Sequence, residues 1–293
     1  MMLHPYRLSQ ITQKFLDVGG SGRITLMDAV TKTHLDIGSP IPTQTTILGL
    51  CIENASKRNA ISPKMMVDLK SICDHLESTI DGSNVYGILM FGASNTFCSG
   101  FDLSVARERF LMPEEGLDMS LFMQDTLLRL SRIPIVSCCC IDGFAVGGGA
   151  EVTLIADHRI IKADGTMQFV HKRMGVSPGF GGSQRLSRLL GKSKALRILL
   201  EASKLDSKKC YDIGLVDQIS SNSSSVDSGI EWLSILVKSD GKSEPISPKV
   251  IRGLKRSILS GDNEDEIMDA FSRERLVFGS LWGSGQNLKA LKK

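Results

Sequence analysis

No run of eighteen apolar residues occurs anywhere in the 293 residues of this chain, so the sequence offers no membrane-spanning helix. Charge of one sign is also lacking. The net charge of +3 is too slight to argue for nucleic acid, though it suits an anionic small-molecule partner. None of the seven cysteines stands in a C-x-x-C pair, so zinc sites and redox dithiols lack their usual spacing. Cys138, Cys139 and Cys140 are adjacent inside an apolar run, and buried thiols in a reducing compartment are expected. The five histidines show no ligand spacing, so no metal is expected. The first residues lack the apolar core of a secretory signal. Arg7 and Lys14, with no acid before Asp17, leave a mitochondrial leader open beside a frayed start.

What is present is ordinary for a globular protein: 42% hydrophobic and 23% charged residues, in a chain long enough for a sizeable core. Residues 1–22 read as an irregular segment ending in "GGSG". From residue 23 to about 220, short apolar runs alternate with helical patterns, which argues for an α/β core. "RITLMDAV", "TTILGLCIEN", "VYGILMFGA", "PIVSCCCIDG", "HRIIKAD" and "TMQFV" read as strands. "SPKMMVDLKSICDHLEST" reads as a helix capped by Ser62 with Pro63 in its first position. From Gly181 the pattern predicts helices over 182–191, 193–203, 207–214, 228–238, 247–260 and 264–281. Polar loops are expected at 220–228 and 238–248, and residues 221–293 form a C-terminal helical region.

One stretch stands apart. "DGFAVGGGAEV" (142–152) holds four glycines, three of them consecutive, with Glu151 immediately beyond. It is not a dinucleotide fingerprint, because the third glycine position after Gly147 and Gly149 is Val152. It is not a P-loop either, for want of Gly-Lys-Ser/Thr. A helix N-terminus bared by glycines offers N–H groups to a developing oxyanion, or it is simply a tight turn with close packing. "TFCSGFDL" (96–103) also follows a strand and also bends at a glycine, so two loops could supply one N–H each. No G-x-S-x-G elbow is read in the sequence, and nothing in the motifs pairs Ser99 or Cys98 with a histidine, so no nucleophile is expected.

The segments "SKRNAIS", "TFCSGFDL", "GFAVGGGAEVTLIADHRI" and "SPGFGGSQRLSRLLG", in this order, resemble the signatures of the crotonase superfamily, the enoyl-CoA hydratase/isomerase family. The resemblance implies a spiral of strand-strand-helix turns with a C-terminal helical region, assembled as trimers or dimers of trimers. It implies that the backbone amides of Phe101 and Gly148 hold the oxygen of an acyl-CoA thioester. It also implies a coenzyme A channel lined by Lys57, Asn59, Ala60, Asp102 and Leu103, with Lys57 or Arg58 facing a phosphate. Hydratases of the family use two glutamates. The first matches Glu151; the second falls on His171. Hydration needs an acid and a base, so the change argues against it. Decarboxylation of a malonyl-type thioester such as ethylmalonyl-CoA or methylmalonyl-CoA survives it, because CO2 leaves without a base. His171 would then bind the carboxylate or return the proton.

The catalytic set expected is therefore Glu151, His171, Gly148 and Phe101, with no metal or organic cofactor and coenzyme A as part of the substrate. A metabolite-repair role in the cytosol is what the resemblance implies, with the mitochondrial matrix as the other compartment. An enoyl-CoA hydratase or isomerase, and a non-catalytic trimeric CoA- or RNA-binding module, stay as alternatives. Against RNA, Lys249, Arg252, Lys255 and Arg256 are expected to be no more than a solvated helix face.

Overall fold

The computed structural model describes residues 5–237 and 246–292. The chain opens with helix α1 (Pro5–Val18), where an irregular segment was expected. Leu8, Ile11 and Phe15 recur at helical spacing, Ile11 and Phe15 are buried, and Gly19 ends the helix at φ +69°. Phe15 packs against Phe110 and Phe122, at ring-centroid distances of 5.8 and 5.0 Å. That burial holds a helix too short to stand alone.

Strand β1 (Arg23–Asp28) pairs antiparallel with β2 (Ile47–Glu53). Helix α2 (Pro63–Thr79) follows; Ser62 accepts from the Met65 amide, the cap expected from sequence. Then come β3 (Gly87–Gly92), the short α3 (Leu103–Arg109) and the long α4 (Pro113–Arg132). Strands β4 (Val136–Ile141) and β5 (Phe144–Val146) lead into α5 (Gly148–Thr153). Strands β6 (His158–Lys162) and β7 (Thr166–Gln168) are followed by α6 (Gly182–Leu190) and α7 (Lys192–Glu201). Next are β8 (Leu205–Asp206), α8 (Ser207–Asp212), β9 (Gln218–Ser220) and α9 (Ser225–Leu236). The chain finishes with α10 (Pro248–Leu259), α11 (Glu264–Leu281) and α12 (Gly285–Leu291). Most of the loop expected at 238–248 lies outside the described residues.

The topology is a spiral. The main sheet runs β1-β2-β3-β4-β6-β9, parallel from β2 onward. A second layer orders β5-β7-β8 and is extended by single bridges between Ile61 and Phe101 and between Cys98 and Ala145. Each turn thus places one strand in the main sheet and one extended segment in the second layer. A helix then returns the chain.

The segments that carry the glycine motifs, 98–101 and 144–148, are neighbours in the second layer. They come from successive turns. All seven cysteines are buried and free, as the sequence suggested. No helix among the described residues is long and apolar enough to cross a membrane.

The C-terminal helices fold back on this core. Leu233 of α9 packs on the main sheet, in a cluster with Leu89, Cys138, Cys140 and Ile160. Helix α10 departs from expectation. Arg252 and Lys255 are 3% and 8% exposed, while Val250, Leu254 and Ile258 are 52%, 65% and 80% exposed. The expected solvated basic face is therefore half buried. The reason is polar: Arg252 donates to the carbonyls of Ile80, Asp81, Ser83 and Val85, and Lys255 donates to Ile135 O and pairs with Asp157. Those buried carbonyls need donors, and long cationic side chains supply them.

Candidate active site

Two glycine-rich loops meet first. Gly100 lies at φ +98°, and a Cβ there would stand 2.9 Å from Val146 O and 3.3 Å from Gly148 N. A Cβ on Gly149 would stand 2.4 Å from Cys98 O. No side chain fits between these backbones, so glycine at both positions lets the segments touch.

Around them the hydrogen bonds leave two amides over. Ile61 donates to Gly100 O and accepts from Asp102 N, so the bridge uses the groups on either side of Phe101 and not its own N–H. Gly148 is the first residue of α5, and its N–H has no place in the intrahelical ladder. Among the described residues neither amide donates a hydrogen bond. Both residues line one cavity of about 180 Å³. The Phe101 ring is turned aside and anchored edge-on against Phe110 at 5.3 Å and near Trp282 at 6.2 Å.

Glu151 lies one turn into α5 and is almost wholly buried. Its Oε2 accepts from Phe180 N at 2.8 Å and Gly182 N at 2.9 Å. Its Oε1 accepts from Gly179 N at 3.4 Å and lies 2.9 Å from Nε2 of His171. A carboxylate accepts only, so Nε2 carries the hydrogen of that bond. His171 opens a 3-10 turn, His171–Met174, ended by Gly175 at φ +70°. Its other ring nitrogen, Nδ1, is buried and has no partner. Glu151 and His171 both line the cavity that holds the two free amides. Most of the remaining wall is apolar, including Met119, Met174, Phe180, Phe278 and Trp282.

The expected four therefore converge, although they come from different turns of the spiral. One pattern escaped the motif reading. Gly175-Val176-Ser177-Pro178-Gly179 spells G-x-S-x-G, the letters of a nucleophile elbow. It follows a 3-10 turn and not a strand, and Ser177 Oγ is buried without a partner, so no base faces it. Burial pushes the Cys98 thiol up to about 12, which leaves it un-ionised and inert near neutrality.

A family model described as enoyl-CoA hydratase/isomerase matches residues 42–272. The chain belongs to that family. Its relatives include proteins named ethylmalonyl-CoA decarboxylase. The mouse protein is 39% identical over 83% of this chain and 73% of its own length. The human protein is 38% identical over 83% of this chain and 76% of its own. In fold it resembles the enoyl-CoA hydratase of Bacillus halodurans, with a TM-score of 0.72 and 19% identity over 86% of this chain and 97% of that one. An enoyl-CoA hydratase/isomerase from Xanthobacter autotrophicus Py2 also gives a TM-score of 0.72, with 18% identity over 84% of this chain and 88% of that one. The spiral described above is the crotonase fold of this family.

The residues expected along the coenzyme A channel divide. A second, more open cavity adjoins the first and shares Ser99, Phe101, Leu103 and Val146 with it. Lys57, Ala60, Asp102 and Leu103 line it, together with the exposed Arg58. Asn59 lines neither cavity. Its amide is fully used, accepting from Asn54 N and donating to Ala93 O and Thr96 O, so it locks the chain behind the channel. Lys57 is engaged as well, 2.7 Å from both Asp102 and Ser104 Oγ. Burial works to raise the Asp102 carboxyl, but Lys57 and the Ser104 hydroxyl and amide overcome it and hold Asp102 below the usual range. Arg58 makes no side-chain bond among the described residues. No cluster of three or more metal-binding side chains exists among the described residues.

One neighbour of the site carries no motif at all. Glu274 of α11 is buried behind the 179–182 turn and accepts from Gly181 N and Gln184 N.

Proposed function

We propose that the protein decarboxylates a malonyl-type acyl-CoA thioester, ethylmalonyl-CoA or methylmalonyl-CoA, through an enolate held at the amides of Phe101 and Gly148. One observation carries this reading: Nε2 of His171, which by the resemblance stands at the second carboxylate position of the hydratases, is fixed on Glu151 while Nδ1 is left unpartnered. The names of the decarboxylase relatives support the same substrate class.

In this reading the thioester oxygen lies between the two free N–H groups. The bond between the α-carbon and the carboxylate breaks, CO2 departs, and the electron pair enters the enolate with its charge on that oxygen. Each donor contributes roughly a hundred- to a thousandfold in rate. Nδ1 of a protonated His171 first meets the substrate carboxylate and then gives its proton to the α-carbon. Solvent replaces that proton. Glu151 does not deliver it. With three backbone amides and an imidazole aimed at its two oxygens, it serves to orient His171. The apolar wall around Met119, Met174 and Phe278 suits an alkyl branch on the α-carbon, which ethylmalonyl-CoA has and malonyl-CoA lacks.

These steps call for no metal or organic cofactor. Dialysis against a chelator should leave turnover unchanged. The exposed apolar row Val250, Leu254 and Ile258 supports assembly into a homotrimer or dimer of trimers, and sedimentation would read it. A cytosolic metabolite-repair role is part of this proposal, as the resemblance implies, and cell fractionation tests the compartment.

The deciding experiment incubates the purified protein with ethylmalonyl-CoA and follows butyryl-CoA by mass spectrometry. Butyryl-CoA should accumulate as substrate disappears, while crotonyl-CoA stays unhydrated. Absence of butyryl-CoA above the enzyme-free control would remove the proposal.

A further inference from the structure

The 179–182 turn is held from both sides. On one side Phe180 N and Gly182 N point to Oε2 of Glu151, with Gly179 N reaching Oε1. On the other, Gly181 N donates to Oε1 of Glu274 at 2.8 Å and Gln184 N to Oε2 at 3.1 Å. The amides of this stretch are shared between two carboxylates more than a hundred residues apart in sequence: 179, 180 and 182 point to Glu151 of α5, 181 and 184 to Glu274 of α11.

We propose that Glu274 is a positioning residue of the active site: it pins the 179–182 turn from behind, keeps the turn's amides on Glu151, and through Glu151 fixes His171. The inference rests on the reading of His171 given above and extends it to a residue that no motif marks.

The charges around Glu274 make the link electrostatic as well as mechanical. From α5 it faces Glu151. From α6 it faces Arg185, which donates to Phe180 O, stacks over the Phe271 ring at 4.7 Å, and has Arg188 beyond it. From α4 the uncharged Ser120 donates to Gly179 O of the same turn, and Arg275 of α11 donates to Gln124. Two buried carboxylates thus share the guanidinium of Arg185. Burial, then the Glu151 charge, raise the Glu274 carboxyl to about 7, against the pull of two amides and Arg185. Glu274 therefore changes charge in the range where the enzyme would work. When it does, its hold on Gly181 and Gln184 changes, and Phe180 and Gly182 lie in the same turn.

The test is an amide NMR titration of the intact, substrate-free protein, so its outcome does not depend on whether the protein is a decarboxylase. Gly181 and Gln184 report on Glu274, and Phe180 and Gly182 report on Glu151. All four amide shifts should move together with one midpoint near 7. In Glu274→Gln the shifts of Gly181 and Gln184 should stay constant in that range, and Phe180 and Gly182 should lose the step they share with them. Where the decarboxylase assay is active, that variant should lose roughly tenfold or more in kcat at little change in KM, and Glu274→Asp should recover part of it. Phe180 and Gly182 shifts that stay constant while Gly181 and Gln184 titrate would overturn the inference. So would a folded Glu274→Gln protein that titrates like the parent. Should Glu274→Gln not fold, the titration of the unaltered protein still decides.

Discussion

Nε2 of His171 and Oε1 of Glu151 are 2.9 Å apart, and the pair is buried at the wall of the cavity that receives the two free amides. Glu151 is the better satisfied partner, with three backbone donors besides the imidazole. His171 is the poorer one, with one ring nitrogen unpartnered. That asymmetry is the reason the proposed mechanism gives the proton to the histidine and the orienting part to the glutamate.

Replacing His171 by Asn removes the acid and keeps a polar side chain. Steady-state kinetics with ethylmalonyl-CoA should show kcat lower by about 10²–10⁴-fold, the usual contribution of a positioned acid, with KM nearly unchanged. A rise in KM at constant kcat would assign His171 to binding alone.

Glu151→Gln substitutes one acceptor oxygen and one NH2 group for a carboxylate that accepts from four donors. At least one buried amide then faces another donor. Urea unfolding should register a loss of about 1–3 kcal/mol, together with a large fall in kcat. Unchanged stability would mean that the cradle is looser than these distances imply.

The Glu274 carboxyl lies at about 7 in the folded protein, against an ordinary value of 4.5. Between those values the folded state holds a proton that the unfolded state has released, so Glu274 makes stability fall as pH rises, levelling above the higher one. The span corresponds to about 3 kcal/mol at roughly 1.4 kcal/mol per unit. The unfolding free energy of the parent minus that of Glu274→Gln should decline by that order between pH 5 and 8. The subtraction removes other titrations in the range, His75 and His158 among them, which burial lowers. A flat difference would show that Glu274 does not titrate there.

Arg252 and Arg256, four residues apart on α10, should behave oppositely. Arg252→Met strips donors from the buried carbonyls of Ile80, Ser83 and Val85 and should destabilise by about 2–3 kcal/mol in urea unfolding. Arg256 pairs with Asp81 at side-chain exposures of 53% and 70%, and Arg256→Ala should stay within about 0.5 kcal/mol. Equal losses would contradict the inward orientation of the helix.

The strands and long helices were legible because their apolar spacing is local. The helix from Pro63 falls where periodicity and capping put it. Helix α1 was not legible although its apolar residues have helical spacing, since distant contacts hold it: Phe15 packs on Phe110 and Phe122, and Arg7 and Lys14 pair with Asp118. The two-residue β8 and three-residue β9 were hidden for a related reason: elements so short carry no period of their own.

By itself the sequence determined the glycine loops, the carboxylate beside them, the histidine in place of a second carboxylate, and the family these motifs resemble. Only the tertiary structure decided how they are held. The three amides on Glu151, the hold of Glu274 on the same turn, the locking of Asn59 and the inward cations of α10 all depend on which backbone groups were buried unpaired. A buried N–H or C=O must find a partner wherever the fold leaves one, and that partner can lie anywhere along the chain. No period or motif in the sequence records it.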